Sequence, residues 1–479
     1  MTLILAAAAL ALYAWVPGVK EAVTSSSSNA PATQYSSTLQ VPELLDYTKA
    51  GDVKRFALTA EKGRYEFAPG VASDTYGYSG SILGPTIRVS EGDNVDIAVT
   101  NKLSEQTTSH WHGAIVPGDA DGGVHNIIKS GETWHAKFTV RQPAATLWYH
   151  PHQHEETARQ VYNGMGGFLL VDDAKSRSLN LPSDYGVDDI PLIIQSKNLD
   201  DSGKLIPYSI NRMQQVMGFE GNTVMVNAQV KPTFTPTTHL VRLRLLNGSN
   251  SDTYTVAMSD GSDFYVIATD GGFLDKPVKT NSVELPNAKR YEILVDASKL
   301  GSSASLMVNG RPALTLNKAG SLANKYSVPD MLATIAPPST PEKIDRTFNL
   351  EFLAGGGGGM MGGGMGVFGI NGQLFDMNRI DFISNAGTTE YWRVKNDSSR
   401  GHVMNHPLHI HTTQFQIVSL NGAPPPPLLQ GWHDTINLKP NDEAVLAVPF
   451  NSDAKGIFMY HCHILEHEDG GMMGQFKIE

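Results

Sequence analysis

Strand-length runs of alternating or continuous apolar residues, cut by glycine and asparagine turns, set the pattern of this chain. Thr86-Ile87-Arg88-Val89, the turn Glu91-Gly92-Asp93-Asn94 and the segment 95–101 predict a β-hairpin that leads straight into His110-Trp111-His112. Late in the chain, Asn385-Ala386-Gly387 and the segment 389–396 lead in the same way into residues 406–411. Between them, Leu240-Val241-Arg242-Leu243-Arg244-Leu245 alternates apolar and basic residues and ends at Asn247-Gly248-Ser249-Asn250, with no histidine cluster behind it. One sandwich unit repeated three times, its middle copy stripped of histidines, accounts for all three stretches. The units are expected near residues 38–175, 185–335 and 345–479, after a segment 1–37 of different character. Linkers such as Ala336-Pro337-Pro338-Ser339-Thr340-Pro341 separate them.

Composition agrees with that division. A chain of 479 residues is too long for one core and suits about three domains of ~150 residues. Its 46 glycines and 27 prolines, with valine- and threonine-rich runs, point to all-β sandwiches with tight turns. The net charge of −11, with no lysine or arginine cluster, argues against nucleic acid as a partner. A single cysteine rules out an internal disulfide.

The first 16 residues are apolar and uncharged, and Ser25-Ser26-Ser27-Ser28-Asn29-Ala30-Pro31 follows as a polar linker. The run fits a signal-peptide core or a short membrane tether, being under the ~20 residues that span a bilayer comfortably. It carries neither a basic n-region nor a twin-arginine pair. Export to the periplasm or the extracellular space is the expectation.

The chemistry lies in the histidines. His461-Cys462-His463, followed by His467 and Met472, holds the only cysteine between two histidines. Alternate side chains of a strand face opposite ways, so Cys462 points to one side and His461 and His463 to the other. One tripeptide then serves two metal sites and joins them through covalent bonds. Thiolate, imidazole and thioether at Cys462, His467 and Met472 form the ligand set of a blue copper electron-transfer centre. His110-Trp111-His112, His150-Pro151-His152 and His406-Pro407-Leu408-His409-Ile410-His411 supply partners for the flanking histidines. A lone His-x-His pair says little. Four clusters that gather ten of the chain's 16 histidines, with the sole cysteine inside one, are not scattered structural residues.

The strings HWHG, WYHPHQH, HPLHIH and HCHILEHEDGGMM resemble, in order, the four copper signatures of the multicopper oxidases. The likeness is nearest to the bacterial copper efflux oxidase and three-domain laccase branch and runs from about Gln40 to the C-terminus. It implies an all-β fold of three consecutive cupredoxin-like Greek-key β-sandwich domains, and a monomer holding four copper ions. His406, Cys462, His467 and Met472 would be the type 1 ligands, and His110 and His409 the type 2 ligands. One type 3 copper would take His112, His150 and His463, the other His152, His411 and His461. With two clusters in each outer domain, the trinuclear site is expected at their interface. The type 1 site would lie wholly in the third domain, nearer solvent.

A small-molecule reductant or Cu(I) would give electrons singly through the outer edge of His467 or His406. Cys462 would pass them to His461 and His463, and dioxygen would be reduced to water. Asp121 and Glu468 match positions where relatives keep proton-relay carboxylates; otherwise an aspartate in a glycine-rich turn is turn chemistry. His154 is expected to brace the metal shell, and Trp111, Trp148 and Tyr149 to pack around it. His125, His135, His239, His402 and His433 read as surface or hydrogen-bonded core residues.

The reductant is less legible. Met360, Met361 and Met365 stand in a glycine-rich segment, where their thioethers suit a Cu(I)-recruiting loop or are incidental to a flexible linker. Where the resemblance places an acidic and a methionine ligand for substrate copper, this chain has His402 and Met404, so the acid is missing. The leading reading is a laccase-like oxidase of phenols, aromatic amines or Cu(I). A dedicated cuprous oxidase in copper detoxification and a non-catalytic cupredoxin-fold binding protein are the alternatives. A nitrite reductase would not need the paired His-x-His sets.

Overall fold

The computed structural model describes residues 37–353, 368–399 and 403–479. The apolar N-terminal run, the segment carrying Met360, Met361 and Met365, and His402 lie outside the described residues. Among the described residues no helix is long and apolar enough to cross a membrane.

Six sheets form three consecutive pairs. Between residues 48 and 172, a five-stranded sheet centred on Val53–Ala68 and Asn94–Asn101 accompanies a four-stranded sheet. The latter contains Ile87–Ser90, Gly167–Asp172, Ala145–His150 and His110–His112, in that order. Residues 189–317 form sheets of six and five strands, and residues 346–478 two sheets of five. The chain is all-β, with three cupredoxin-like sandwiches in succession.

The hairpin expected across the turn at Glu91-Asn94 does not form. Ile87–Ser90 pairs in parallel with Gly167–Asp172 in one sheet, while Asn94–Asn101 pairs with Val53–Ala68 and Thr133–Thr139 in the other. The turn therefore carries the chain between the sheets of one sandwich. Both segments bury apolar residues, Ile87 and Val89 before the turn and Val95, Ile97 and Val99 after it, in one cluster filling the space between the sheets. Adjacent strands in sequence are thus adjacent across a core, a relation that alternation alone does not separate from hairpin pairing.

In the middle sandwich, every residue of Leu240–Asn247 is buried, including Arg242 and Arg244. The apolar positions Val241, Leu243 and Leu245 enter the core. The arginines enter a buried ionic network at the border with the first sandwich. Arg244 makes a two-pronged bond to Asp189 (2.6 and 2.9 Å) and donates to Glu292 Oε1 at 2.8 Å. Arg242 Nε donates to Glu292 Oε2 at 2.8 Å. Thr146, on the histidine-bearing strand Ala145–His150, donates to Glu292 Oε1 at 2.6 Å. The position of that strand is therefore tied to two charges of the neighbouring sandwich.

Removing one partner from a buried ionic network strands the others without water. Glu292→Gln should destabilise the protein by about 3–5 kcal/mol, read as a lowered denaturation midpoint. A loss below about 1 kcal/mol would mean that Asp189 alone neutralises both arginines.

Candidate metal centre

Strand register assembles the ligand candidates. His110 sits opposite His150 and His112 opposite Trp148 in the antiparallel pair of the first sandwich. In the third, His409 sits opposite His461 and Leu408 opposite Cys462. Directly opposed residues share a face, so His409 and His461 look one way, while Cys462 looks into the core with Leu408. The period of two thus divides His461-Cys462-His463 between two locations.

Eight histidines from the two sandwiches meet on the first of these faces. The His110 ring stacks on His411 with centroids 3.9 Å apart, and His112 stacks on His409 at 3.7 Å. His461 Nε2 lies 3.1 Å from His152 Nε2 and 3.2 Å from His411 Nε2. The His463 ring is 5.0 Å from His112 and 5.3 Å from His150. All eight are buried. The ring nitrogens of His152, His411 and His461 lie within 4.8 Å of one another, as do those of His110, His112 and His150 and those of His110, His409 and His411.

The outer nitrogens are held by the protein. His110 Nδ1 bonds the Asp121 carbonyl, His150 Nδ1 the Pro151 carbonyl and His409 Nδ1 the Asp434 carbonyl. His463 Nδ1 donates to Asn287 Oδ1 at 2.6 Å, and His411 Nδ1 to Asp121 Oδ2 at 2.8 Å. His112 is turned the other way, with Nε2 on Asp434 Oδ1 at 3.1 Å. The inner atoms, Nε2 of His110, His150, His409 and His463 and Nδ1 of His112, are buried without a hydrogen-bond partner. Burial holds His112, His150, His152, His409 and His461 well below the usual histidine range, so the rings are neutral and offer lone pairs. Convergent, orphaned, neutral imidazole nitrogens are what a buried metal cluster requires.

On the other face, Cys462 Sγ lies 3.5 Å from His406 Nδ1 and 3.6 Å from His467 Nδ1. Met472 is buried in the same core cluster, its carbonyl accepting from Cys462 N at 3.0 Å and its N–H donating to the His467 carbonyl at 2.8 Å. Burial pushes the Cys462 thiol up, so its proton leaves only when a cation takes its place. The solvent-facing edge expected of His467 is absent: the residue is 2% exposed, and its Nε2 bonds the Val216 carbonyl of the middle sandwich at 2.9 Å. The site is therefore not wholly the work of the third domain. Met404 packs at the margin of this core.

Asp121 and Glu468 both touch the cluster. Glu468 Oε1 is 3.4 Å from His152 Nδ1 and its Oε2 is 3.2 Å from His461 Nδ1. Burial raises Glu468 well above the usual carboxyl range. Burial would also raise Asp121, but His411 and His110 outweigh it and hold that carboxyl below its ordinary value. One acid is thus set to keep its proton and the other to lose it.

Trp148 stacks on His150 at 4.1 Å, as the sequence suggested, whereas Trp111 and Tyr149, expected around the metal shell, pack in the core of the first sandwich, because strand alternation turns them away from the histidines. His154, expected to brace the shell, packs edge-on against Phe375. His433 is buried, bonded to Lys289 at 2.7 Å. The bracing comes from groups that no motif flagged. Asp434 receives Arg290 through both carboxylate oxygens, Gln414 Nε2 at 2.8 Å and His112. Arg290 also donates to the Thr146 carbonyl at 2.9 Å. Gly113, at φ +87°, has no room for a side chain here: a Cβ would stand 2.5 Å from Asp434 Oδ2 and 2.8 Å from Arg290 Nη2. An arginine pairing with an aspartate 144 residues away leaves no mark in local sequence.

Three multicopper oxidase family models match the chain at residues 59–176, 196–326 and 337–479. The chain is 39% identical to multicopper oxidase mco of Staphylococcus aureus over 94% of both chains. It is 36% identical to cell division protein FtsP of Escherichia coli, again over 94% of both. A crystal structure of laccase from Pediococcus acidilactici matches with a TM-score of 0.84 at 34% identity, covering 93% of this chain and 94% of that one. The chain belongs to the multicopper oxidase family, and it is a copper oxidoreductase that uses dioxygen.

Asn287 orients the candidate ligand His463, and loss of the partner that orients a metal-binding histidine typically costs 10- to 100-fold in metal affinity. Asn287→Ala should weaken copper retention by about that factor against a competing chelator. Unchanged retention would show that the His463 ring is fixed by its strand alone.

Proposed function

We propose that the protein oxidises small phenolic or aromatic reductants, or Cu(I), one electron at a time at a type 1 site and delivers the electrons to a trinuclear cluster. The type 1 ligands are His406, Cys462, His467 and Met472. His110 and His409 hold the type 2 copper. His112, His150 and His463 hold one type 3 copper, and His152, His411 and His461 the other, making four ions per chain. Copper bound there supplies one-electron redox chemistry and the surface on which dioxygen is reduced to water.

The observation that carries this reading is the division of one tripeptide. Cys462 lies beside His406 and His467, while its neighbours His461 and His463 reach the eight-histidine cluster. The covalent path between the two locations is two residues long at most. A merely structural protein would not need the orphaned inner nitrogens, and a storage protein would not need the shared tripeptide. The apolar first 16 residues support export, and copper homeostasis suits a cuprous reductant. Asp121 and Glu468 move protons to the cluster: each contacts the outer nitrogen of a ligand, and their environments drive their proton affinities apart.

Cys462→Ser is the direct test. The folded, copper-loaded variant should lose the absorption near about 600 nm and its oxidase activity, because both depend on the thiolate. Retention of the band would overturn the assignment.

The two acids separate in a half-reaction experiment. Asp121→Asn and Glu468→Gln keep shape but deliver no proton, so type 1 reduction should stay near the wild-type rate while reoxidation by dioxygen slows about 10²-fold or more. Stopped-flow mixing of the reduced protein with dioxygen reads this. Wild-type reoxidation in both would remove the relay role, and loss of copper would make the acids braces for their histidines.

A further inference from the structure

A pocket opens where the three sandwiches meet. Ile115 and Pro143 of the first, Gly271 of the middle, and Gln414, Trp432 and Phe450 of the third line a cavity of about 300 Å³. That volume is at the lower end of small-molecule pockets, which gather at domain junctions. Among the described residues, its walls hold no charged side chain, and flat indole, phenyl and prolyl faces make up much of them. The pocket is built from other residues than the Cys462 site, and it borders the brace on His112 instead.

One polar group in the wall is unmet. Gln414 is 7% exposed, and its Nε2 donates to the Gly113 carbonyl at 2.9 Å and to Asp434 Oδ2 at 2.8 Å. These two acceptors fix which end of the amide is which, since a flip would set oxygen against oxygen. Gln414 Oε1 is then buried with no hydrogen-bond partner, a costly state for an acceptor. It is turned toward Gly271 and Trp432: a Cβ on Gly271 would stand 2.5 Å from Oε1 and 2.6 Å from Trp432 Cβ. Only glycine leaves room there. Gln142, in the same wall, has both ends engaged, accepting from Ile115 N at 2.8 Å and donating to the Gly113 carbonyl at 3.0 Å. The unmet acceptor is therefore particular to Gln414.

We propose that this pocket binds a neutral single-ring aromatic molecule that donates one hydroxyl to Gln414 Oε1, and that its occupancy tightens the hold on His112. Each property of the ligand answers one of the pocket: neutrality the uncharged walls, a flat ring the flat faces, one ring the volume, one donor the single unmet acceptor. The coupling follows from the amide. Gln414 Nε2 holds Asp434, whose Oδ1 stands 3.1 Å from His112 Nε2. A hydroxyl on Oε1 polarises the amide and strengthens its two N–H bonds, so the brace stiffens. By linkage, a protein with its metal in place binds the ring more tightly by the same factor. The binding is independent of the copper-oxidase reading above, whereas the coupling rests on it.

The test titrates the copper-loaded full chain with 4-fluorobenzyl alcohol, a redox-silent ring with one hydroxyl, followed by 19F NMR. Binding should saturate with a Kd of about 1 mM or below. 4-Fluorotoluene, the same ring without the donor, should bind about fivefold more weakly. Trp432→Ala removes one wall and Ile115→Trp fills the cavity from another, and each should abolish saturation while the absorption at about 600 nm remains. In the wild type, saturating alcohol should slow copper release to a chelator at least about threefold, and it should leave the rate in Ile115→Trp unchanged. Equal affinity for the alcohol and the toluene would overturn the role of Gln414, and saturation that survives both substitutions would overturn the site. An unchanged release rate with the ring bound would overturn its coupling to His112. A chain that takes up no copper would overturn the copper-oxidase reading and leave the ring-binding result to be judged by itself.

Discussion

The buried pair of Arg290 and Asp434 fixes how the three sandwiches meet. Arg290 comes from the middle sandwich, Asp434 from the third, and their other bonds reach Thr146 and His112 of the first. Both side chains are fully enclosed. Neither charge can be buried without the other, so the interface has one favoured arrangement rather than a range of greasy contacts. That arrangement decides where His112 stands relative to His409. A cluster of eight rings shared between two domains needs such a constraint, because a shift of one ångström between sandwiches would break the convergence of the nitrogens.

The middle sandwich is therefore more than a spacer. It contributes no histidine to the cluster, yet Asn287 orients His463, the Val216 carbonyl orients His467, and Glu466 is pinned by Asn250 at 2.8 Å and by the Phe219 N–H at 3.1 Å. The short helix Leu465–Asp469 concentrates these attachments. Glu466 faces the middle sandwich, His467 the Cys462 site, Glu468 the histidine cluster, and Asp469 accepts from Thr157 N and Ala158 N of the first sandwich. Four successive side chains hold four different parts of the protein. A one-turn helix allows this because its side chains radiate about 100° apart.

Much of this was legible in the residues. The His-x-His clusters, the lone cysteine and the period-two rule located the ligand candidates and separated Cys462 from its neighbours. The threefold repeat gave the architecture, since repetition of a turn-and-strand pattern survives in sequence. Pairing partners did not. The turn at Glu91-Asn94 reads as a hairpin because local alternation does not say whether the next strand joins the same sheet or the facing one. The alternation of apolar and basic residues at 240–245 does not report that Arg242 and Arg244 are buried, nor that Glu292 and Asp189 make that burial tolerable. Asp434, Asn287 and Val216 were invisible for the same reason: each acts on a histidine far along the chain, and Val216 does so through its carbonyl, which no side-chain pattern reports.

The separation of the clustered histidines along the chain bears on how the molecule comes into being. His152 and His461 stand 309 residues apart yet end 3.1 Å from each other. Each sandwich can gather its own core from nearer contacts, whereas the shared cluster requires the longest loop closures in the protein and so belongs to the last stage of assembly. Until the final strands arrive, the first sandwich carries four histidines with no partners across the interface. Metal captured at that stage would meet half a coordination sphere, and the order of synthesis places a long interval between the two halves. The cluster is in this sense a record of completed folding: only a chain whose first and last sandwiches have found each other brings all eight histidines together.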